Sequence, residues 1–271
     1  MQDYDNMDII VSASWLKEHL EDPNIRILDM RSPMAYRISH IPNAQLVRYE
    51  NIVKVQAGFP FLMIPSREDA ERAFGEMGID NDKTVVVYGE AEEPQAARVF
   101  WTLDFYGAKV KMLDTAFRAW AQQGLPITKD LPQIQQTKFT ASPAFEKQAD
   151  AHYLMSNLTK QDVTVADTRS PEEYNGTMGT GLRQGHIPGA VNIPWSECIG
   201  SQGKIFQPAS ELASVIKTHG ISKSKEIVTY CFVGERAAHT YVALRLLGFT
   251  NVRLYDRSFA EWSGNTNLPV E

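Results

Sequence analysis

The chemistry of this sequence centres on Cys231, one of its two cysteines. It stands in the stretch TYCFVGERAAH, between an apolar, β-rich run that ends at Tyr230 and a segment of helical period that starts at about Arg236. A free cysteine at a strand end is most often a small packing residue. Here the intervening residues must turn, so loop amides and a helix start would face the sulfur and stabilise a thiolate. The pattern therefore favours Cys231 as a nucleophile.

The loop after Cys231 supplies further candidate site residues. Gly234 permits a tight turn, and Arg236 adds a fixed cation beside the sulfur. We expect the loop to contact substrate through Phe232, Val233, Gly234, Glu235 and Arg236. The other cysteine, Cys198, has no such loop, and we expect it to pack in the core. Two isolated cysteines predict neither a disulfide framework nor a metal site of the paired-cysteine type.

Size and charge limit the classes of function. The chain has 271 residues, of which 43% are hydrophobic, enough for two globular domains with separate cores. Its formal net charge of −6 and the lack of a long Lys/Arg run argue against nucleic acid or a membrane surface as partner. No apolar run reaches the roughly 18 residues of a membrane span, and the first residues lack the pattern of a secretory signal. We expect a cytoplasmic protein.

An internal repeat organises the chain. Residues 27–44 recur as residues 165–190, which contain an insertion, and residues 113–120 recur as residues 255–262. The offset of about 140 residues is the length of one domain. The sequence therefore indicates a duplicated domain.

The repeat predicts the domain organisation and the fold class. We divide the chain into a first domain over residues 1–127, a linker over 128–145 and a second domain over 146–271. The linker is rich in Pro, Gln and Thr and has no sustained apolar period. Within each domain, short β-rich runs alternate with segments of helical period, which predicts an α/β fold with a mainly parallel sheet flanked by helices. Cys231 would then lie at the carboxyl end of a strand, where such folds bind ligands.

Three polar residues near the predicted site recur in both copies. Asp167 and Arg169 match an Asp and an Arg of the first copy, and His186 matches a His. Only one copy has the loop cysteine. A role common to both domains, such as a buried ion pair or a capped turn, therefore fits these residues better than catalysis.

Three segments of the second copy carry a family resemblance: GHIPGAVNIP at residues 185–194, CFVGERA at 231–237 and YDRSFAEW at 255–262. Together with the double copy, they resemble the rhodanese sulfurtransferases, in the two-domain arrangement of the thiosulfate and 3-mercaptopyruvate sulfurtransferases. The resemblance covers nearly the whole chain and implies two tandem rhodanese-like domains.

The resemblance also implies an activity. In that family the cysteine of the second domain takes a sulfane sulfur from a donor, holds it as a persulfide and passes it to a thiol, cyanide or another nucleophile. Cys231 matches that cysteine. We therefore expect a sulfurtransferase with a small anionic or persulfide donor and a thiophilic acceptor, each a small molecule or a protein. The implied mechanism requires no metal and no organic cofactor.

Two departures from the family pattern concern the donor. Where thiosulfate and mercaptopyruvate enzymes carry a Gly-Arg-aromatic segment with an anion-binding arginine, this chain reads Glu-Glu-Tyr, with Glu173 at its centre. Where thiosulfate enzymes carry a basic residue two positions after the cysteine, it has Val233. Arg236 and, from the insertion, Arg183 are then the candidates to bind an anionic donor. We expect weak activity with thiosulfate.

The first copy lacks the nucleophile. Its matching stretch GEAEEP, from Gly89 to Pro94, has no cysteine, places three carboxylates in the loop and puts a proline at the helix start. Carboxylates at a helix N-terminus repel a further anion there. We predict a first domain without sulfur-transfer activity that forms one wall of the active cleft.

Two alternative functions stay open. Cdc25-like phosphatases use a Cys-x-x-x-x-x-Arg loop on the same fold, but here Arg236 comes one residue sooner, and the shorter loop leaves too little room for a phosphoryl group. A persulfide carrier or docking protein would accept sulfur stoichiometrically and show negligible turnover with small acceptors. The sequence identifies neither the physiological donor and acceptor nor the oligomeric state.

Overall fold

The computed structural model describes residues 3–47, 49–55, 62–179 and 181–271. They form two α/β units of the same design, each with a five-stranded parallel sheet. Within these ranges, no helix is both long enough and apolar enough to cross a membrane.

The described part of the first domain contains seven strands and five α-helices. Its strands are β1 (Ile10–Val11), β2 (Ile25–Asp29), β3 (Ala44–Leu46), β4 (Lys54–Val55), β5 (Leu62–Met63), β6 (Thr84–Tyr88) and β7 (Lys109–Leu113). Its helices are α1 (Ala13–Glu18), α2 (Pro33–Ile38), α3 (Arg67–Glu76), α4 (Gln95–Phe105) and α5 (Phe117–Gln122). Five strands form a parallel sheet in the order β1-β7-β6-β2-β3, and β4 pairs antiparallel with β5.

The second domain repeats this arrangement. Its strands are β8 (Gln148–Ala149), β9 (Val163–Asp167), β10 (Val191–Asn192), β11 (Glu226–Tyr230) and β12 (Val252–Tyr255). Its helices are α6 (Ala151–Asn157), α7 (Pro171–Tyr174), α8 (Ala209–Thr218), α9 (Glu235–Leu246) and α10 (Ser258–Gly264). The strand order β8-β12-β11-β9-β10 matches the first sheet position by position. The predicted α/β class with two similar domains is confirmed.

The central strand of each sheet places the equivalent loops. Residues 85–88 of β6 and residues 227–230 of β11 are fully buried. Strands covered by helices on both faces read as near-continuous apolar runs, which is why TVVVY and EIVTY lack a polar face. Cys231 directly follows β11 and so stands at the carboxyl end of the second sheet.

The two domains share a continuous apolar contact. Helix α9 is buried along nearly its whole length, from Ala237 to Leu244 and at Leu246, and it packs against α4 of the first domain. The main core cluster includes side chains of both domains. Because α4 and α9 each start at the carboxyl end of a central strand, their packing brings the two strand-end loops to one interface.

The segment between the domains follows the surface of the first domain. Residues 124–144, all of them described, form no helix or strand apart from an isolated bridge between Thr128 and His40. The Thr137 N–H donates to the Gly75 carbonyl at 2.9 Å, and the Phe139 side chain is buried. The domain boundaries at 127/128 and 145/146 stay predictions.

Candidate active site

Cys231 lies at the centre of a tight loop between β11 and α9. Its residue is 1% exposed, and its Sγ accepts the N–H of Gly234 at 3.1 Å. Gly234 has a φ of +90°, in the left-handed region that favours glycine. It is also the N-cap of α9, so the loop turns the unpaired N–H groups of the helix start toward the sulfur. This arrangement favours negative charge on the sulfur.

The residues after β12 hold this loop in place. The hydroxyl of Ser258 accepts the N–H of Cys231 at 3.2 Å and donates to the Tyr255 carbonyl at 2.8 Å. The N–H of Phe259 donates to the Cys231 carbonyl at 3.0 Å. Sequence reasoning did not assign Ser258 to the site, although it stands in the quoted motif YDRSFAEW and has an alanine at the matching position of the first copy.

Arg236 makes a two-point ion pair with Glu173 across the mouth of the loop. Its Nη1 and Nη2 lie 2.6 and 2.9 Å from the two carboxylate oxygens. Burial by itself lowers the pKa of Arg236, but the hydrogen bonds to Glu173 and the charge of Cys231 raise it above the ordinary value. Burial raises the pKa of Glu173, and the hydrogen bonds from Arg236 outweigh this and lower it. Both groups are therefore charged at neutral pH.

Glu173 is fixed by the start of its own helix. Ser170 caps α7, its hydroxyl accepting the N–H of Glu173, while the Glu173 carboxylate accepts the N–H of Ser170 at 3.1 Å. This capping box satisfies two otherwise unpaired donors and orients the carboxylate toward Arg236. The prediction of Arg236 as an anion-binding cation needs revision in one respect, because a carboxylate already balances its charge.

The contacts of Arg183 do not support its predicted role in binding an anionic donor. Its guanidinium donates to the carbonyls of Trp262, Ser263, Asn265 and Leu268, at 2.6 to 3.0 Å. These carbonyls belong to the end of α10 and the chain that follows it. Four N–H groups of the arginine are thus used to hold the C-terminal segment, and they are not available to a substrate.

The recurring polar residues lie in buried contacts behind the loop. Arg169 pairs with Asp167 at 2.5 Å and donates to the Gly185 carbonyl at 2.8 Å. The Nδ1–H of His186 donates to the Tyr174 carbonyl at 2.9 Å, and the His186 ring stacks on the Tyr174 ring. These contacts join the end of β9 to the segment before β10.

The remaining predicted residues divide between the mouth of the loop and the core. Phe232, Val233 and Glu235 are each partly exposed. Cys198 is fully buried, and burial, followed by the charge of Glu197, raises the pKa of its thiol to about 12. A thiol so rarely ionised is unsuited to nucleophilic attack.

The first domain brings two residues to the site that sequence reasoning missed. Arg98 of α4 is fully buried and pairs with Asp256, which directly follows β12. The pKa of Tyr49 is raised well above its ordinary value by burial and then by the charge of Glu235, with Arg98 and Cys231 also within electrostatic reach. A charged residue inside the otherwise apolar run of α4 was the available signal for Arg98.

Comparison with known proteins agrees with this geometry. A family model described as a rhodanese-like domain matches residues 12–123 and again residues 150–265. The chain is 32% identical over 282 residues to the sulfur carrier protein TtuD of Thermus thermophilus, covering 98% of each chain. It is 31% identical over 272 residues to thiosulfate sulfurtransferase of Azotobacter vinelandii, covering 100% of each.

A solved structure extends the comparison to three dimensions. SseA from Escherichia coli, described as a 3-mercaptopyruvate sulfotransferase of rhodanese fold, superposes with a TM-score of 0.81 at 30% identity. The superposition covers 92% of this chain and 98% of that one. The predicted tandem architecture and enzyme class are confirmed. The chain belongs to the rhodanese family, in which it is a tandem-domain sulfurtransferase.

Proposed function

We propose that Cys231 is the residue that carries sulfur in this enzyme. Its thiolate attacks the outer, sulfane sulfur of the donor. The bond between that sulfur and the rest of the donor breaks, and its electron pair leaves with the donor remainder. A thiolate or cyanide acceptor then attacks the outer sulfur of the Cys231 persulfide, and the electron pair of the sulfur–sulfur bond returns to Sγ.

The hydrogen bond from Gly234 to Sγ supports this proposal most directly. A backbone N–H at 3.1 Å from a buried sulfur, at the start of a twelve-residue helix, stabilises the thiolate both as nucleophile and as leaving group. The support from Ser258 fixes the loop, so the donor N–H groups need not reorganise during transfer.

The charges around the loop bear on the class of donor. Glu173 balances the charge of Arg236, the cation that follows the cysteine in the loop. We infer that persulfide donors, whose charge is low, are used better than the thiosulfate dianion. Acceptors are thiols or cyanide, and a protein is an additional candidate for either partner, in keeping with the relative named a sulfur carrier protein. A cytoplasmic location stays a prediction.

A donor panel tests this proposal. Turnover to a thiol acceptor is measured with thiosulfate, mercaptopyruvate, polysulfide and a cysteine desulfurase as donors, in the parent and in Glu173→Gln. Glutamine keeps the capping box but releases the charge of Arg236. We expect low thiosulfate turnover in the parent and an increase of about tenfold in the variant, the scale of one charge-assisted hydrogen bond.

The panel also separates an enzyme from a carrier. Turnover with the cysteine desulfurase should change by less than thiosulfate turnover in Glu173→Gln, because the reacting end of a protein persulfide carries at most one negative charge. Efficient thiosulfate turnover in the parent that is unchanged in the variant would contradict the assigned donor class. Stoichiometric sulfur uptake without repeated turnover, for every donor and acceptor, would favour the carrier function instead.

A further inference from the structure

Arg98 is a fully buried cation that joins the first domain to the support of the cysteine loop. It lies on α4, its residue is 0% exposed, and its Nη2 forms an ion pair with Asp256. Asp256 stands two residues before Ser258, whose hydroxyl accepts the N–H of Cys231. The other carboxylate oxygen of Asp256 accepts the N–H of Ile64 at 3.1 Å. Contacts from the first domain therefore fix the segment after β12, and this segment in turn supports the Cys231 loop.

Two nitrogens of Arg98 are left without a partner. Nε and Nη1 are buried, and neither has a hydrogen bond to any atom of the described residues. Nearly all buried donors in native proteins are paired, because leaving one unpaired costs the full desolvation of that group. The two unpaired nitrogens of Arg98 therefore point to a functional role at the interface beside the active site.

The unpaired end of Arg98 lies against the cysteine loop. A Cβ atom placed on Gly234 would be 2.5 Å from Arg98 Nη1 and 2.7 Å from the Asp256 carbonyl. Gly234 is the residue whose N–H donates to Sγ. Burial by itself lowers the pKa of Arg98, and the charges of Asp256 and, less strongly, Tyr49 and Cys231 raise it above its ordinary value.

We propose that Arg98 is a positioning residue through which the first domain stabilises the anionic sulfur of Cys231. This proposal rests on the proposed function of Cys231 as sulfur carrier. Arg98 packs against Gly234 and keeps that glycine in its left-handed conformation, with the N–H aimed at Sγ. Its positive charge, held at a buried position where screening is weak, offsets the charge of the thiolate and of the persulfide.

The second copy has a different residue at the matching helix position. The residue that matches Arg98 is His239 on α9, which is buried against Trp195, Phe206 and the Ile205 carbonyl of its own domain. Burial lowers the pKa of His239 to about 4, so its ring is neutral. The loop that His239 would face in an equivalent role is the one without a cysteine. A cation is found only at the position that adjoins the nucleophile.

The duplication also supplies a matched control. Asp114 follows β7 as Asp256 follows β12, and it pairs across the interface with Lys204 of the second domain at 2.7 Å. This pair anchors the strand end that belongs to the inactive loop. Removing its cation disturbs the interface between the domains without removing a charge from the Cys231 loop.

The experiment measures the rate constant at which iodoacetamide alkylates Cys231 at pH 7, resolved from Cys198 by peptide mass. The variants are Arg98→Met, Arg98→Lys, Asp256→Asn and, as control, Lys204→Met, each checked for folding by circular dichroism. Iodoacetamide is neutral, so the rate reports the thiolate rather than reagent binding. We expect about a tenfold decrease in Arg98→Met, a several-fold increase in Asp256→Asn, and rates within about twofold of the parent in Arg98→Lys and Lys204→Met.

The proposal predicts opposite changes in the alkylation rate for Arg98→Met and Asp256→Asn. If Arg98 and Asp256 served only to hold the fold, both variants would loosen the loop and slow alkylation together, and that result would overturn the proposal. If Arg98→Met does not fold, Asp256→Asn and Arg98→Lys decide the same question. Alkylation reports the Cys231 thiol itself. Failure of Cys231 as sulfur carrier would instead appear as sulfur uptake that survives Cys231→Ser.

Discussion

The two strand-end loops share one frame and differ in the groups that hold an anion. In the second domain the N–H of Phe259 donates to the Cys231 carbonyl at 3.0 Å, and in the first domain the N–H of Phe117 donates to the Gly89 carbonyl at 3.1 Å. The strand before each loop, the helix after it and the support from the neighbouring strand end are therefore equivalent. We therefore expect the residues of the loop, rather than the shared scaffold, to determine which domain holds sulfur.

The first loop lacks the anion-binding groups of the second. Gly89 offers no thiol, Pro94 has no N–H at the helix start, and Ala116 replaces the hydroxyl of Ser258. The Glu90 carboxylate accepts the N–H of Arg118 at 3.3 Å, and burial raises the pKa of Glu90. In the second domain the matching N–H, that of Ala260, donates to the Phe232 carbonyl at 2.9 Å, so the first loop has a carboxylate where the second has a neutral carbonyl. Since folds alone do not determine activity, we expect the difference in loop chemistry to make only the second domain active.

Placing a thiol in the first loop should give the largest difference in sulfur uptake between the two loops. A Cβ on Gly89 would have its nearest neighbour, the Cβ of Ala96, at 3.4 Å, so a cysteine fits there. In a Cys231→Ser background, Gly89→Cys should recover no sulfur uptake, because the surrounding carboxylates oppose a thiolate. Uptake is followed by the gain of sulfur mass with polysulfide as donor. Substantial recovery would show that the loop environment matters less than the presence of a thiol.

A side chain on Gly234 should separate the close contact with Arg98 from backbone strain. Gly234→Ala meets both a φ of +90° and the contacts with Arg98 and Asp256, and we expect sulfur uptake to slow by about tenfold or more. Gly220→Ala is the control, because Gly220 has a φ of +72° and open space around it. It should cost about 1 kcal/mol of stability with no change in uptake. Equal rates of sulfur uptake in both variants would show that the conformation of Gly234 does not control the reactivity of Cys231.

The fold and the nucleophile could be predicted from the sequence because both depend on local residue patterns. The apolar runs TVVVY and EIVTY predict central strands, and the glycine and helix start after Cys231 predict the loop. Ser170 and Glu173, three residues apart at the start of α7, form a capping-box pattern that could have indicated a helix start at Ser170. The pairing of Glu173 with Arg236 was not readable, since those residues are far apart in the chain.

The contacts that the sequence did not predict are long-range and backbone-directed. Arg183 binds carbonyls about eighty positions away, and carbonyls leave no mark in a residue pattern. Arg98 reaches the site from the other domain, through a helix-to-helix packing that depends on how the copies dock. Domain packing was the missing information for Arg98, whereas long-range contacts within the second domain were the missing information for Arg183 and Arg236.

The location of the transferred sulfur tests the central claim most directly. The parent, Cys231→Ser and Cys198→Ser are exposed to polysulfide, and intact mass with peptide mapping follows the gain of sulfur. We predict one added sulfur atom in the parent and in Cys198→Ser, located on Cys231, and none in Cys231→Ser. Sulfur retained at full stoichiometry in Cys231→Ser, or lost in Cys198→Ser, would contradict the assignment of Cys231 as the sulfur-carrying residue.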